Sequence, residues 1–556
     1  MARSPMDTLR KAVAHYEARR FAEAAALCDE IIASRTVVPD AFHLGGLVAF
    51  ERGDHARGVT LLQRAIDAGI RNPGAFANLA ICLVHTGQIS RAHKHMSAAL
   101  AMAPMSAHVQ AAAADVFLAM GSVGESVTHL RHALQWEPSP EVHSNLLYAL
   151  NFMSGKQSDL CEEHRAFGAA YDDPNGHLVE HANDPNPQRK LRVGYLSADM
   201  KSHSVAHFLA PLLAAHDREQ VWVHAFPSVT RPDAVTDRLK EMSDAWTSVA
   251  GLSNKEAADK IREASIDVLV ELGGHTGNSR LLSLAHRPAP VQVSFLGYPN
   301  TTGIAASRYR ITDALVDPED TPLSDYVETL VRLPGGFLCY EGPENSPEVA
   351  ASPVSRTGAI TFGSFNTLAK MTPRVVELWA RIVGKVQGAR LFLKAGPLAD
   401  EGVRKHVQQQ FEAHGLDPSR LLLEGRTPGQ LGHLERYADV DIALDPFPYN
   451  GTTTTCEALF MGVPVIALAG DRHVSRVSAA ILKRVGLEAF VGTSPKHYQQ
   501  IAVDLSQQRK RLGELRDGMR ARFLASPLCD RTRYAREVEA AYRQMWTAWC
   551  ARKNAP

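Results

Sequence analysis

Four threonines in succession follow a tight turn in the C-terminal half of the chain. They lie in the string Asp-Pro-Phe-Pro-Tyr-Asn-Gly-Thr-Thr-Thr-Thr-Cys-Glu, which spans 445–457 and is typical of a strand end, a turn at Asn450-Gly451 and a helix start. The free N–H groups of a helix's first turn and the four hydroxyls would face the same way, which suits an anion. Because one threonine is enough to cap a helix, the run predicts a phosphate-binding site.

Two charged side chains are placed to complete this site. Glu457 lies one turn into the predicted helix, where its carboxylate either accepts hydrogen bonds from a diol such as ribose or merely favours the helix dipole. Lys370 precedes Pro373, a residue typical of the first turn of a helix, and follows a predicted strand over 360–365. It therefore lies on a loop at the carboxyl end of a strand, either to neutralise a diphosphate leaving group or as an ordinary solvated lysine.

The sequence lacks the motifs of several other common enzyme classes. No G-x-G-x-x-G follows the first predicted strand, and neither G-x-x-x-x-G-K-[ST] nor G-x-S-x-G occurs. This argues against a dinucleotide oxidoreductase, a P-loop ATPase and an α/β-hydrolase. Asp439 and Asp441 form a possible metal-binding pair, but strand alternation places both on one face at the start of a strand. We therefore expect no metal ion and no cofactor.

The elements that must hold these residues alternate between short β-rich runs and helical runs, in two blocks. Strands are predicted at 191–196, 221–226, 266–272 and 291–296, and then at 360–365, 389–393, 421–424, 441–444 and 463–468. This alternation predicts doubly wound parallel sheets, hence two Rossmann-like halves. Open sheets of this kind bind ligands beyond the carboxyl ends of their strands, so the two halves should face each other across a cleft.

The first quarter of the chain repeats every 34 residues. Gly53, Gly87 and Gly121 are spaced at this period, and small residues recur at the same period in other phases: Gly46, Ala80 and Ala114, then Ala65, Ala99 and Ala133. Each unit is predicted to form two helices joined by a glycine turn. This pattern resembles the tetratricopeptide repeat more than an unrelated helical bundle. Such α-solenoids bind extended peptides in a concave groove, so we expect a protein or peptide partner there.

Extending the repeat phase once more reaches His143. An imidazole stands where the earlier units carry Ala41, Ala75 and Val109. Either this is a capping unit with a polar outer face, or the repeat array ends against an active site.

The composition of the chain limits which classes of partner and which cellular compartment remain possible. The 556 residues include 60 Lys plus Arg and 60 Asp plus Glu, so no overall field attracts nucleic acid or an anionic membrane. The seven cysteines are scattered and never spaced C-x-x-C, which argues against a disulfide framework and a zinc cluster. We expect a cytoplasmic protein that binds neither nucleic acid nor membrane.

These observations divide the chain into six predicted segments. They are a repeat array (1–150), a helical connector (151–189), an N-terminal Rossmann-like half (190–340), a linker (341–358), a C-terminal Rossmann-like half (359–525) and a closing helical segment (526–556).

The order of the motifs resembles the O-GlcNAc transferase family of inverting glycosyltransferases, above all its bacterial members. Besides the repeat array, the resemblance rests on four strings: Leu-Arg-Val-Gly-Tyr-Leu-Ser-Ala-Asp199-Met-Lys-Ser-His203, Arg-Pro-Ala-Pro-Val-Gln-Val-Ser-Phe-Leu-Gly297-Tyr-Pro299, Ser-Phe-Asn366-Thr-Leu-Ala-Lys370 and Asn-Gly-Thr-Thr-Thr-Thr. It covers nearly the whole chain. It implies a GT-B fold whose C-terminal half binds UDP-GlcNAc and whose acceptor is a Ser or Thr hydroxyl on a protein.

The resemblance also implies roles for individual residues. Lys370 matches the lysine that contacts the donor diphosphate, Glu457 the position of a ribose ligand, and His433 a histidine near the nucleotide base. Further donor-site positions are Gly297, Pro299, Arg436, Gly451, Thr452, Thr453 and Thr454. On the acceptor side, the matching polar residues are His143, Asp199 and His203, of which the first two are candidates for the general base.

Three departures from the family pattern leave the identity of the donor sugar and the transferase activity open. Gln430 and Thr452 replace a lysine and a histidine of animal members, and a long insertion of those enzymes is absent. The string at 445–457 is closer to plant relatives that transfer fucose from GDP-fucose to proteins. A protein O-fucosyltransferase is therefore one alternative, and a peptide-binding scaffold with weak or no transferase activity is another.

Overall fold

A computed structural model describes residues 4–34, 37–173 and 179–554. In these residues a helical array is followed by two α/β halves, each built on a parallel sheet. This confirms the predicted fold class. No helix in the described ranges is long and apolar enough to cross a membrane.

The array consists of paired antiparallel helices. Over the described ranges, its helices and the one that follows are α1 (Pro5–Glu17), α2 (Phe21–Ala33), α3 (Pro39–Glu51), α4 (His55–Asp67), α5 (Pro73–His85), α6 (Ile89–Met102), α7 (Ala107–Met120), α8 (Val123–Trp136), α9 (Pro140–Leu150) and α10 (Gln157–Tyr171). Gly53, Gly87 and Gly121 have φ values of 70°, 76° and 85°, a left-handed conformation that lets the chain reverse between paired helices. The alanines spaced by the period, such as Ala65 and Ala99, are fully buried where helices touch.

The first α/β half contains seven strands within the described residues. Its elements are β1 (Leu191–Ser197), α11 (Ala206–Ala215), β2 (Val221–Pro227), α12 (Ala234–Glu241), β3 (Ala245–Trp246), α13 (Asn254–Glu263), β4 (Val268–Glu271), β5 (Val291–Ser294), β6 (Tyr309–Thr312) and β7 (Thr329–Arg332). The strand order is β3-β2-β1-β4-β5-β6-β7, and neighbouring strands pair in parallel.

The second half repeats this plan with six strands in the described part of the chain. Its elements are α14 (Val354–Thr357), β8 (Thr361–Ser364), α15 (Pro373–Lys385), β9 (Arg390–Lys394), α16 (Glu401–Glu412), β10 (Leu421–Glu424), α17 (Gln430–Glu435), β11 (Ile442–Leu444), α18 (Thr453–Phe460), β12 (Val465–Leu468), α19 (Val477–Arg484), β13 (Val491–Gly492), α20 (Pro495–Ser506), α21 (Arg509–Leu524) and α22 (Arg531–Lys553). The order is β10-β9-β8-β11-β12-β13.

Four strands were not predicted, and each has a reason to be missed. β3 and β13 have two residues each, too few to show alternation. β6 carries the buried Arg310, whose guanidinium donates to the carbonyls of Asn300 and Tyr298 at 2.8 and 2.9 Å. β7 is a half-exposed edge strand without an apolar face.

The last helix, α22, returns to the first half and packs against α11. Its Glu539 accepts a hydrogen bond from His216 at 2.9 Å, and the hydroxyls of Tyr542 and Tyr195 lie 3.1 Å apart. The C-terminal segment thereby ties the two halves together.

In each sheet the strand order reverses once, between β1 and β4 and between β8 and β11. Loops at such a reversal diverge and leave a crevice at the carboxyl ends of the strands. The loops after β1, β4 and β8 contain Asp199, Thr276 and Lys370, and the helix that follows β11 begins at Thr453. The topology therefore gathers side chains from four distant parts of the sequence in one place.

Candidate active site

A cleft of about 550 Å³ lies between the two halves. Both halves line it. The residues from the first half are Asp199, His203, Ser204, Val205, Phe208, Thr276, Gly277, Leu296, Gly297, Pro299, Phe337 and Leu338. Those from the second half are Phe365, Asn366, Thr367, Lys370, Tyr449, Thr452, Thr453, Thr454, His473 and Val477. Tyr148, from the end of the helical array, closes one side. Eight of the predicted site residues line this cleft: Asp199, His203, Gly297, Pro299, Lys370, Thr452, Thr453 and Thr454.

Lys370 is held at the base of the phosphate loop. It ends a 3₁₀ turn after β8, and its Nζ donates to the carbonyl of Asn450 at 2.8 Å and to Asn366 Oδ1 at 3.3 Å. The ammonium also lies 4.4 Å from the centre of the Tyr449 ring. Burial lowers the pKa of Lys370, although the carboxylate of Asp445 opposes the shift. A lysine so placed gains a strong partner when an anion enters the cleft.

The threonine run begins α18, but its hydroxyls do not all face the cleft. Thr452 is the N-cap, yet its side chain makes no capping hydrogen bond. Thr454 donates to Asn366 at 3.1 Å, and Thr455 is buried with its hydroxyl 2.8 Å from Ser478 Oγ. The expectation of four hydroxyls pointing one way is therefore wrong for Thr455, because the helix turns its fourth residue into the core.

Asp445 organises the turn before this helix. Its Oδ1 accepts from the amide of Gly451 at 2.7 Å and from Thr455 Oγ1 at 3.4 Å. Burial raises the pKa of Asp445, while these hydrogen bonds and Lys370 act in the opposite direction. A Cβ at Gly451 would lie 2.6 Å from Thr455 Oγ1, so the loop passes too close to the helix for a larger residue.

A second polar cluster joins α17 to α18. His433 Nδ1 lies 2.7 Å from Lys394 Nζ, and His433 Nε2 lies 3.2 Å from Glu457 Oε2. Sequence reasoning proposed His433 and Glu457 for the base and the ribose, and they are in contact here. It missed Lys394, although this residue ends β9 at the same carboxyl edge of the sheet, which the general rule for such sheets would have flagged.

Arg436 is turned away from this cluster. Its guanidinium pairs with Glu424 at 2.8 Å and with Asp439 at 2.5 Å, and it lies over the Phe392 ring. The structure does not bring it to the cleft.

On the opposite face, Asp199 and His203 follow β1. Asp199 is 7% exposed and its Oδ1 lies 3.6 Å from His203 Nδ1. Burial raises the pKa of Asp199, whereas the neighbouring His203 and Lys201 lower it. A carboxyl group with these surroundings can accept a proton at a higher pH than an ordinary aspartate.

His143 does not line the cleft. Its ring packs edge-on against Phe167 and Tyr171, at centroid distances of 5.3 and 5.8 Å, and burial lowers its pKa. Tyr148, five residues further along α9, lines the cleft instead. Five residues rotate a helix by about 140° beyond a full turn, so the two side chains leave on different faces.

The loop after β4 is positioned by a buried carboxylate that sequence reasoning also missed. Glu271 accepts the amides of Gly273 and Gly274, both at 2.8 Å, and shapes the turn that places Thr276 in the cleft. Gly297 approaches the same strand end so closely that a Cβ would lie 2.1 Å from the carbonyl of Leu272. The available signal for Glu271 was a single acid inside the otherwise apolar end of the predicted strand 266–272.

Both aspartates considered for metal binding have partners. Asp439 pairs with Arg436, and Asp441 accepts from the amides of Val354 and Thr361 at 3.0 and 2.9 Å. Within the described ranges, no group of three or more His, Cys, Asp or Glu residues is arranged to hold a metal ion.

The chain matches two known family models. The model for glycosyl transferase family 41 matches residues 130–344 and 354–538, and a tetratricopeptide repeat model matches residues 49–116. Together the first two segments cover most of the chain, including both sheets and the cleft.

Similar proteins and structures agree with this match. A Solanum lycopersicum protein named probable UDP-N-acetylglucosamine–peptide N-acetylglucosaminyltransferase SPINDLY is 40% identical over 411 residues, which is 73% of this chain and 44% of that protein. Its Arabidopsis thaliana counterpart is also 40% identical, over 73% of this chain and 45% of that protein. The chain spans less than half the length of these curated relatives. A solved structure, a Thermobaculum terrenum O-GlcNAc transferase mutant, superposes with a TM-score of 0.88 at 33% identity, covering 93% of this chain and 98% of that one.

Proposed function

The chain belongs to glycosyl transferase family 41, and we propose that it transfers N-acetylglucosamine from UDP-GlcNAc to Ser or Thr hydroxyls of proteins, with inversion. The observation that carries this proposal is the position of Lys370. Its ammonium lies between the loop after β8 and the start of α18, at the point where the second sheet reverses its strand order. The names of the relatives, which specify UDP-N-acetylglucosamine and peptide, supply the donor and the acceptor class.

In this reaction the acceptor oxygen attacks the anomeric carbon while the bond to the diphosphate breaks on the opposite face. Positive charge develops on the sugar and negative charge on the leaving diphosphate. Lys370, the hydroxyls of Thr453 and Thr454 and the first amides of α18 lie where they would stabilise that negative charge. The protein groups supply this charge stabilisation without any metal ion.

The acceptor hydroxyl must lose a proton as it attacks. Asp199 is the general base in this proposal, because it follows β1, lines the cleft and has a raised pKa. His203, 3.6 Å from Asp199, would orient the acceptor or the carboxylate. His143 has no part in this proposal, because it does not line the cleft and its ring packs against Phe167 and Tyr171.

The nucleoside is assigned to the cluster around His433. Glu457 would accept hydrogen bonds from the ribose hydroxyls, with His433 and Lys394 beside it near the base. Arg436 has a structural role in this scheme, since Glu424 and Asp439 already occupy its guanidinium.

The acceptor segment would approach from the repeat array, whose last helix contributes Tyr148 to the cleft. A peptide bound along the concave groove of the array then delivers one side chain between the two halves. The scaffold alternative gives no reason for the buried lysine and phosphate loop, and the fucosyl alternative is not favoured by the names of the relatives.

A transfer assay tests the proposal directly. The full chain is incubated with UDP-GlcNAc and a library of Ser- and Thr-containing peptides, and the products are analysed by mass spectrometry. We expect N-acetylhexosamine on hydroxyl side chains, release of UDP, and the same rate in the presence of EDTA. Fucose transfer from GDP-fucose without N-acetylglucosamine transfer would overturn the donor assignment, and a strict requirement for an added divalent ion would overturn the assigned mechanism.

A further inference from the structure

The loop after β12 carries a histidine that the proposed mechanism does not use. His473 begins a short 3₁₀ turn and lines the cleft together with Thr453 and Val477. The residue is 3% exposed, so its ring is fixed among protein atoms except where it meets the cleft. Its loop is closed by one hydrogen bond, in which the backbone amide of Gly470 donates to the carbonyl of Ser475 at 3.0 Å.

One nitrogen of this ring is held by a carboxylate from the other half of the molecule. His473 Nδ1 lies 2.7 Å from Asp317 Oδ2, and both side chains are almost fully buried. Asp317 also accepts from Tyr326 OH at 2.6 Å and from the hydroxyl of Thr312. Burial alone would raise the pKa of Asp317, but the interaction with His473, the charge of Arg310 and the hydrogen bond from Thr312 hold it well below its usual range. The ionised carboxylate accepts hydrogen bonds only, so Nδ1 carries a proton.

The other nitrogen is left for a ligand. Among the residues that the structure describes, Nε2 of His473 has no hydrogen-bond partner, and the Phe337 ring packs edge-on against the imidazole at 5.1 Å. Because Nδ1 holds the proton that it shares with Asp317, Nε2 is the ring nitrogen left to accept a hydrogen bond in the neutral form of the imidazole. A carboxylate that fixes the tautomer of a histidine in this way orients it toward one partner, and a hydroxyl group is the donor that suits it.

The position of the loop favours a hydroxyl of the donor sugar over that of the acceptor. The carbonyl of Val474, next to His473, accepts the amide of Asn450 at 3.1 Å, and Ser478 Oγ donates to the carbonyl of Gly451 at 2.9 Å. The segment is thus bonded to the phosphate loop at two points, one within its turn and one in the helix that follows. In a nucleotide sugar the sugar ring is directly attached to the diphosphate, so it must lie close to this segment.

We propose that His473, positioned by Asp317, is a specificity-determining residue that accepts a hydrogen bond from a hydroxyl of the donor sugar. This inference rests on the proposed function. In this arrangement both halves form the sugar pocket, because the His473 ring comes from the second half and the carboxylate that orients it, Asp317, comes from the first.

Calorimetric titration of the full chain with UDP and with UDP-GlcNAc tests this role. In His473→Phe, which retains a ring of similar size, we expect UDP-GlcNAc to bind about five- to tenfold more weakly, the effect of one lost hydrogen bond, while UDP affinity changes by less than about twofold. His473→Gln should recover part of the loss, because its amide oxygen can accept the same hydrogen bond. Asp317→Asn should weaken UDP-GlcNAc binding in the same direction by a smaller factor.

Each contrary result has a definite meaning. If His473→Phe and His473→Gln weaken UDP and UDP-GlcNAc equally, His473 only supports the fold, and the inference is wrong. If both nucleotide affinities are unchanged and only the peptide KM rises, the ring faces the acceptor, which also overturns it. If the wild-type chain binds a different nucleotide sugar instead of UDP-GlcNAc, the proposed function fails, and the ratio measured with that sugar and its nucleoside diphosphate then decides the role of His473.

Discussion

The two faces of the cleft differ in how firmly their polar groups are held. On the second half, Lys370 donates to the carbonyl of Asn450 at 2.8 Å, and the amide of Gly451 donates to Asp445 at 2.7 Å. On the first half, Asp199 and His203 are 3.6 Å apart, and the His203 side chain is 41% exposed. The groups assigned to the diphosphate are fixed by short hydrogen bonds within the protein, whereas those assigned to the acceptor make a longer contact and include an exposed imidazole.

This difference fits the two partners. A diphosphate is the same in every turnover, so rigid donors lower the barrier without reorganisation. Acceptor proteins differ from one another, so a looser arrangement around the attacking hydroxyl accommodates them. We therefore expect substitutions on the rigid face to affect the chemical step most strongly, and the following predictions test this ranking.

Lys370→Ala should have the largest effect. Because it removes the positive charge nearest the leaving group, we expect kcat to fall by about 10³-fold, or about 4 kcal/mol. Initial rates at saturating donor and peptide measure this. Lys385→Ala, at the exposed end of α15, is the matched control and should leave kcat unchanged. Wild-type turnover by Lys370→Ala would show that the rigid face does not carry the catalysis.

Asp199→Asn should be the next most damaging, lowering kcat/KM by about 10²-fold, the low end for loss of a general base. Since burial raises the pKa of Asp199, the wild-type rate should fall on the acid side, as pH drops through that raised pKa and the carboxylate gains a proton. The pH–rate profile of the variant should lack this limb. His143→Ala should behave nearly as wild type, and an equal loss in both variants would contradict the assignment of Asp199.

The affinity for UDP should depend on pH through Lys370. Burial lowers the pKa of this ammonium to about 8, so the cation that attracts the diphosphate is lost as pH rises through that value. We expect UDP binding to weaken by up to about tenfold per pH unit above it. Calorimetry between neutral and alkaline pH measures the slope. In Lys370→Met the slope should disappear, and an unchanged slope would assign the titration to another group.

Two threonines of the same run, Thr453 and Thr455, should give the smallest and most discriminating effects. Thr453 lines the cleft, so Thr453→Val should weaken UDP binding by about fivefold, the value of one hydrogen bond, with little change in thermal stability. Thr455 is buried against Ser478, so Thr455→Val should lower Tm more than Thr453→Val does. Thermal melts and UDP titrations on both variants test this. Equal UDP losses in the two variants would show that the hydroxyls are not divided between cleft and core.

Much of this arrangement could be predicted from the sequence. The repeat period fixed the helical array, and the alternation of elements gave both sheets, because these patterns depend on residues close together in the chain. Lys370 and the threonine run could be proposed from the sequence because each lies next to its own strand end. His143 is not among the residues that line the cleft, and this could not be predicted because repeat phase identifies a position along a helix but not which neighbouring element packs against it.

The residues that sequence reasoning missed depend on contacts between distant segments. Asp317 and His473 are separated by 156 positions and meet only when the two halves pack together. Lys394 and His433 belong to different strand–helix units that become neighbours through the order of the second sheet. No pattern within a short stretch of sequence predicts such pairs, although the position of Lys394 at a strand end could have indicated that it lies at the site.

We propose that the cleft binds the diphosphate of UDP-GlcNAc through Lys370. Parallel titrations of the wild-type chain and Lys370→Ala with UDP, GDP, UDP-GlcNAc and GDP-fucose test it most directly. We expect UDP and UDP-GlcNAc to bind the wild type at least about tenfold more tightly than GDP and GDP-fucose, because a mismatched base leaves buried groups unpaired, and we expect Lys370→Ala to lose most of this binding. Tighter binding of GDP than of UDP, or full UDP affinity in Lys370→Ala, would contradict the claim.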